Sequence, residues 1–342
     1  MINSFLMIIF SYFFLLTLNY LLKKNNLLLD RASNKEKHKI LLSLNYKVPL
    51  SGSFYFFPFI FFFFYEENIL LVFISCLFFC IGLLSDLKIT DSPKLRLFIQ
   101  FFLLIIFLLF SKNFQIDTRI DFLNNLMNYE FLRILIIAFF FLVLINGFNF
   151  IDGVNNLCSL NLMIVIVFLF LISKDLNNLY FQKITLFLIF PLFVFTIFNF
   201  FGKNFLGDGG VYGLSFFLGV IIIQLSLSHK QISPYFLANL LWYPAFENLF
   251  SIIRRSITDR KNYLADNHHL HQLLFKYLET KNFFKKKYLL SSLVGVTINI
   301  YLLLFYIIGF IDYSDTKRQI YLILANILIY LFIYYKLKKL ND

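Results

Sequence analysis

Apolar stretches of about 20 residues, the length an α-helix needs to cross a bilayer, recur along the whole chain between short polar segments. They lie near residues 3–22, 48–65, 68–85, 96–111, 131–146, 157–173, 184–201, 210–228, 232–250, 289–310 and 319–335. The pattern predicts an all-α polytopic membrane protein of 10–11 transmembrane helices. No small-residue cleavage site follows the first stretch, which is therefore expected to stay as a span rather than be removed as a signal peptide. Only 23–47 and 251–288 are long between spans, and both are too short and too basic to build a core of their own. Residues 1–342 are accordingly read as a single integral-membrane domain, with loops at about 23–47, 86–96, 146–156, 202–209 and 251–288.

Composition sharpens the class. The chain is 60% apolar and 15% charged, with a mean hydropathy of +0.76, well beyond the roughly 45–50% apolar content of soluble domains. Cys76, Cys80 and Cys158 lie in or beside apolar spans without CxxC spacing, so neither a disulfide framework nor a cysteine metal site is indicated.

Charge then gives an orientation. With the N-terminus outside, 23 of the 31 Lys and Arg residues fall in inner segments, as the positive-inside rule requires. The C-terminus is expected in the cytoplasm, and an odd number of spans agrees with that. The net charge of +12 belongs to these loops and to anionic membrane lipid beside them; no separate basic module suggests nucleic-acid binding.

Four polar islands interrupt the apolar chain: Ser85-Asp86, Asn146 to Asn156 around Asp152-Gly153, Phe205 to Gly210 around Asp208, and Asp266-Asn-His-His-Leu-His271. The span count puts all four on one face of the membrane. Asn146, Asn149 and Asp152 recur every third residue, near one helical face at the end of a span. An ionisable residue in that position is expensive, about 2.5–3.5 kcal/mol for an Asp at the bilayer centre and less at its edge. The Gly-Asp-Gly-Gly turn permits close backbone approach to a phosphate. Three of the five histidines fall within four positions, with His268 and His271 at i,i+3, a spacing that suits a metal or a phosphate. Carboxylates and imidazoles converging at one membrane edge point to an enzyme.

The segments NGFNFIDGVNNL, FLGDGG, Ser85-Asp86 followed by SPKLR, and ADNHHLHQLL resemble the signature segments of the polyprenyl-phosphate N-acetylhexosamine-1-phosphate transferases. The order and spacing agree over about residues 30–275. The resemblance implies transfer of a sugar 1-phosphate from a UDP-sugar donor to a polyprenyl phosphate acceptor, with Mg2+ (or Mn2+) as cofactor and UMP released. It implies a multi-pass protein of the bacterial cytoplasmic membrane with its site on the cytoplasmic side, and leaves a homodimer open. Motif by motif, it makes Asp208, Asp152 and Asp86 the metal ligands, with Asp86, Asp152, His269 and His271 catalytic. Asn146, Asn149, Asn155, His268 and Lys47 would bind substrate, and Phe205 would stack on uracil. Two phosphate-bearing substrates repel each other, so such a site must supply cations.

Departures from the family pattern are specific. Ser85 stands where the first of two aspartates is usual, Asn155 replaces a frequent acid, Gln272 a histidine and Asn267 an arginine. Three carboxylates remain for a metal, but the acid often assigned as base is gone. A phosphate monoester has its second pKa near about 6 and is mostly dianionic at neutral pH, so a strong base is not required. Two other classes fit less well. A secondary transporter would place its site at mid-membrane and show internal repeats, and none is seen. An inactive scaffold homologue would not be expected to keep Asp86, Asp152, Asp208 and His271. The sugar is expected to be an N-acetylated amino sugar feeding a surface polysaccharide, with loop 251–288 contacting it; the interrupted histidine run argues against the muramoyl-pentapeptide branch.

Overall fold

A computed structural model describes residues 4–30, 47–66, 68–90, 92–111, 114, 116–257, 268–282, 284 and 286–341. Among them, nine helices are long and apolar enough to cross a membrane. These are α1 (Ser4–Lys24), α3 (Ile69–Asp86), α4 (Pro93–Phe110), α6 (Glu130–Ile151), α7 (Leu157–Asp175), α8 (Leu179–Phe200), α9 (Gly207–Ser228), α13 (Lys287–Phe310) and α14 (Thr316–Asn341). Five shorter helices complete the order: α2 (Gly52–Phe64), α5 (Asp121–Met127), α10 (Pro234–Leu240), α11 (Trp242–Ile257) and α12 (Leu270–Thr280). The chain is thus an all-α polytopic membrane protein.

Two expected spans differ. The stretch 48–65 gives only the 13-residue α2, because β2 (Val48–Pro49) is drawn into a two-stranded antiparallel pair with β1 (Leu29–Asp30). The stretch 232–250 is broken into α10 and α11. Pro244 has no N–H, and in a continuous helix its ring would collide with the carbonyl of Leu240, four residues earlier; the chain leaves helical geometry at Leu241, with φ −101° and ψ 5°.

The centre of the bundle is α9, with 83% of its apolar window buried, whereas α4 and α14 bury 22% and turn most of their surface outward. Without a hydrophobic force between helices in lipid, close backbone approach favours small residues. At the α3–α9 crossing, a Cβ added to Gly82 would lie 2.2 Å from the Cα of Gly209. That contact brings the end of α3, with Ser85 and Asp86, to the start of α9. Buried asparagines tie neighbouring helices together: Asn299 Nδ2 of α13 donates to the carbonyls of Asn156 (3.0 Å) and Leu157 (3.1 Å), and Asn199 of α8 accepts from the Asn156 N–H at 2.6 Å.

Candidate active site

The first amides of a helix have no partner within it, and α9 meets this need with a side chain from another helix. Asp86 Oδ1 accepts from the Asp208 N–H at 2.9 Å, and Oδ2 accepts from the Gly209 N–H at 3.1 Å. A carboxylate at a helix N-terminus is also favoured by the macrodipole. Gly207 makes room for it: this residue has φ +71°, and a Cβ there would sit 2.6 Å from Asp86 Oδ2. Asp86, expected as a catalytic residue and metal ligand, therefore caps the turn that carries Asp208.

Asp208 projects from the first turn of α9 and remains partly exposed. Its Oδ2 accepts from Ser85 Oγ at 2.6 Å and pairs with Arg96 Nη1 at 2.5 Å; Arg96 also donates to Ser85 Oγ. Arg96 is aimed by the start of α4, where Ser92 is the N-cap, its Oγ accepting from the Leu95 N–H at 3.4 Å, and Pro93 occupies the first turn. Proline suits that position because its missing N–H would be unpaired anyway. The resulting Arg96–Ser85–Asp208 cluster joins three helices at one end of the bundle.

The second island lies at the end of α6. Asn146 Nδ2 donates to Gln100 Oε1 (3.0 Å) and the Leu142 carbonyl (2.9 Å), Asn149 is half-buried one turn later, and Asp152 is the half-buried C-cap residue. Asn155, expected in the nucleotide pocket, is buried; its N–H donates to Ser291 Oγ at 2.9 Å and its amide lies 3.4 Å from Ser292 Oγ, pinning the turn onto α13. Asn156 takes the left-handed conformation, φ 62°, which asparagine tolerates better than most residues.

Around the histidines the packing is dense. His271 is wholly buried, and neither ring nitrogen has a hydrogen-bond partner among the described residues. Its Nε2 occupies the space a Cβ on Gly153 would need, 2.4 Å away, so the imidazole abuts the residue following Asp152. Burial, reinforced by the neighbouring His269, lowers the His271 pKa to about 3. His269 stacks parallel to it, with centroids 5.5 Å apart. Nδ1 of His269 meets Glu247 Oε1 at 2.9 Å and Ser251 Oγ at 3.2 Å. Glu247 belongs to α11, which is not among the nine crossing-length helices. Burial pushes its carboxyl up, but hydrogen bonds from His269 and Tyr330, with the two imidazoles nearby, leave it below its ordinary value. His268 is half-buried, and its carbonyl accepts from Arg254.

A neutral buried His271 makes stability depend on acid. The unfolded chain binds a proton near pH 6.5 and the folded ring only near pH 3, so the contribution is complete above 6.5 and is lost as pH falls through that window. Thermal unfolding in detergent should show a slope of up to about 1.4 kcal/mol per pH unit there, and His271→Gln should flatten it. An unchanged slope in that variant would contradict the burial assigned to the ring.

The remaining expected residues are set apart. Phe205 is tied into a parallel bridge with Leu50, donating from its N–H to the Pro49 carbonyl at 2.9 Å, and packs against a small cluster of Leu22, Leu28 and Leu50. Lys47 is exposed and donates from Nζ to Asn26 Oδ1 at 2.9 Å. Asp266, Asn267 and 31–46 lie outside the described residues. No group of three His, Cys, Asp or Glu side chains that could hold a metal ion forms among the described residues. Mg2+, however, commonly binds through one or two carboxylates together with substrate phosphates, and the partly exposed Asp208 carboxylate fits that kind of donor set.

Two residues at the site, Arg96 and Glu247, carry no role in the sequence motifs. Arg96 was visible in the SPKLR run, but its partner is 112 positions away. Glu247 carried a clearer signal, since an ionisable side chain inside an apolar stretch is by default a functional hypothesis.

Residues 68–226 match the model of glycosyl transferase family 4, the family of polyprenyl-phosphate sugar-1-phosphate transferases. The matched segment runs from the cap of α3 into the last turn of α9 and contains Ser85, Asp86, Arg96, Asp152 and Asp208; Glu247 and the histidine cluster lie beyond it. The family implies a sugar-nucleotide donor and a polyprenyl phosphate acceptor. No curated protein matches the chain.

Proposed function

We infer, with the family 4 match as premise, that this membrane protein transfers the 1-phosphate of an N-acetylated amino sugar from its UDP derivative to undecaprenyl or a related polyprenyl phosphate. The acceptor oxygen forms a bond to the sugar-linked phosphorus, the bond to the bridging oxygen breaks, and UMP leaves. The product, a polyprenyl-diphosphate sugar, would start a cell-envelope polysaccharide. The observation that carries this reading is the Arg96–Ser85–Asp208 cluster held on the Gly-Asp-Gly-Gly turn by Asp86. It sets a cation and a carboxylate at the end of the bundle, where a lipid phosphate and a soluble nucleotide can both reach.

Mg2+, held by Asp208 and Asp152 together with the donor diphosphate, would neutralise charge between the two substrates. Arg96 adds a fixed guanidinium for a phosphate oxygen, the geometry for which arginine is well suited. Asp86 keeps Asp208 in register. The Ser85 hydroxyl donates a hydrogen bond to Asp208 Oδ2, which orients that carboxylate; the acceptor attacks as its dianion without a protein base. Asn146, Asn149 and Phe205 would border the nucleotide, and His268, His269 and His271 the phosphates. Incubating membranes that contain the protein with a panel of radiolabelled UDP-sugars and polyprenyl phosphate tests the reading. One UDP-sugar should give a labelled lipid and stoichiometric UMP, and no labelled lipid from any of them would overturn it.

The Lys and Arg bias supports a cytoplasmic position for this end of the bundle, in the inner membrane of a bacterium. Cysteines introduced at Lys88, which is exposed beside the site, and at Asn267 should react with impermeant thiol reagents only in inverted vesicles. Labelling in intact cells would reverse the orientation.

A further inference from the structure

Glu247 has no part in the chemistry above, yet it is the one acidic side chain that is fully buried among the described residues. Such a carboxylate is costly unless paired and hydrogen-bonded. Both oxygens are satisfied by side chains from elsewhere in the chain: Oε1 by Nδ1 of His269, the N-cap of α12, at 2.9 Å, and Oε2 by the Tyr330 hydroxyl of α14 at 2.7 Å. The surrounding wall is aromatic, with the rings of Trp242, Phe246 and Phe250 edge-on to Tyr330 at 5.0–6.0 Å.

This geometry does more than hold α12 against its neighbours. An ionised carboxylate can only accept hydrogen bonds, so a partner at Nδ1 must carry its proton there. The neutral ring is then the Nδ1–H tautomer, with its lone pair on Nε2. Ser251 Oγ, 3.2 Å from the same nitrogen, restrains the ring from the other side. The plane is fixed further by parallel stacking on His271 and by Phe150, 5.4 Å away. Both neighbours lead to the turn that bears Asp152: Phe150 lies two positions before it, and His271 touches Gly153.

We propose that Glu247, steadied by Tyr330, is a positioning residue for His269. It holds the imidazole in the Nδ1–H form, in a fixed plane, with the lone pair on Nε2 presented to a substrate phosphate group or its bound cation. A carboxylate behind a working histidine fixes tautomer and orientation in this way whatever the fold. The proposal rests on the transferase reading for what Nε2 meets, but not for the pairing itself.

The test has two arms. Nitrogen-15 spectra of the resting protein labelled at histidine, with His269→Gln used to assign the signal, should show the neutral His269 ring protonated at Nδ1 and unprotonated at Nε2. In the second arm, Glu247→Gln gives His269 a neutral amide with one oxygen where the carboxylate had two. Turnover should fall by about 100-fold, the upper end of the loss when the partner that orients a working histidine is removed, with KM for both substrates within about threefold. Tyr330→Phe, a smaller change that keeps the carboxylate, should fall by about 10-fold. An Nε2–H tautomer in the wild type, or wild-type turnover in Glu247→Gln, would overturn the proposal. Should Glu247→Gln fail to fold, the wild-type spectrum and Tyr330→Phe still decide. If no UDP-sugar is turned over by the wild type, the transferase reading fails while the spectrum continues to report on the pairing.

Discussion

Replacing Asp208 by asparagine is expected to abolish sugar-phosphate transfer while leaving the protein folded. The amide is nearly isosteric, so the α9 turn and its two bonds from Asp86 are untouched. What changes is charge: an amide is a neutral and much weaker ligand for a hard cation. It also leaves the partly buried Arg96 guanidinium without the carboxylate now 2.5 Å away. A loss of about 1,000-fold or more is the size expected when a main electrostatic group in a phosphoryl-transfer site is removed. Ser85→Ala is the informative contrast. Removing one hydroxyl donor from Asp208 should lower turnover by about 10-fold or less, because no base is lost with it. Near-wild-type transfer by Asp208→Asn at low Mg2+ would remove Asp208 from the site, and a hundredfold loss in Ser85→Ala with both substrates still bound would mean that Ser85 takes part in the chemistry.

A single methyl group at Gly82 should be nearly as damaging, by a different route. Alanine is favoured over glycine in a helix by about 1 kcal/mol, so propensity alone predicts a more stable protein. The added Cβ, however, would lie 2.2 Å from the Cα and 2.3 Å from the N of Gly209. These are backbone atoms that no rotamer change can move aside. Overpacking commonly costs about 1–3 kcal/mol and sometimes more, and here relief requires α3 to back away from α9, withdrawing Asp86 from the amides it caps. The melting temperature in detergent and the transfer rate should therefore fall together. Gly309→Ala should be milder, since its nearest neighbours are the side-chain ends of Asn239 and Gln319 at 2.9 Å. A Gly82→Ala protein as stable as wild type would show that the crossing is looser than described.

Much of this architecture was legible in the apolar periodicity. A helix in lipid must satisfy its own backbone and cover its surface with apolar side chains, so nine of the expected stretches appear as crossing-length helices. The two that differ were decided by features the hydropathy of a window does not record: the capture of Val48 and Pro49 by a strand partner, and a proline at 244 that a continuous helix could not hold without a clash at the Leu240 carbonyl. The same division holds at the site. Asp86, Asp152, Asp208 and the histidines could be singled out because polar residues are conspicuous at span ends. Their partners could not. The pairs Arg96–Asp208 and Tyr330–Glu247 are 112 and 83 positions apart, and only the folded bundle makes them neighbours. Asn155 has a task its residue type does not announce: its backbone N–H and side-chain amide fasten the turn to Ser291 and Ser292.

The grip of α14 on the histidine segment bears on biogenesis. Tyr330 reaches Glu247, and Arg254 donates to Tyr334 at 2.6 Å while also holding the His268 carbonyl. Yet α14 leaves the ribosome more than a hundred residues after Asp208. While the chain is still being threaded into the bilayer, the Asp208 cluster can form, but the histidine segment has no roof. A nascent chain paused before α14 would thus hold every residue of the Asp208 cluster but neither of the tyrosines that brace Glu247 and Arg254.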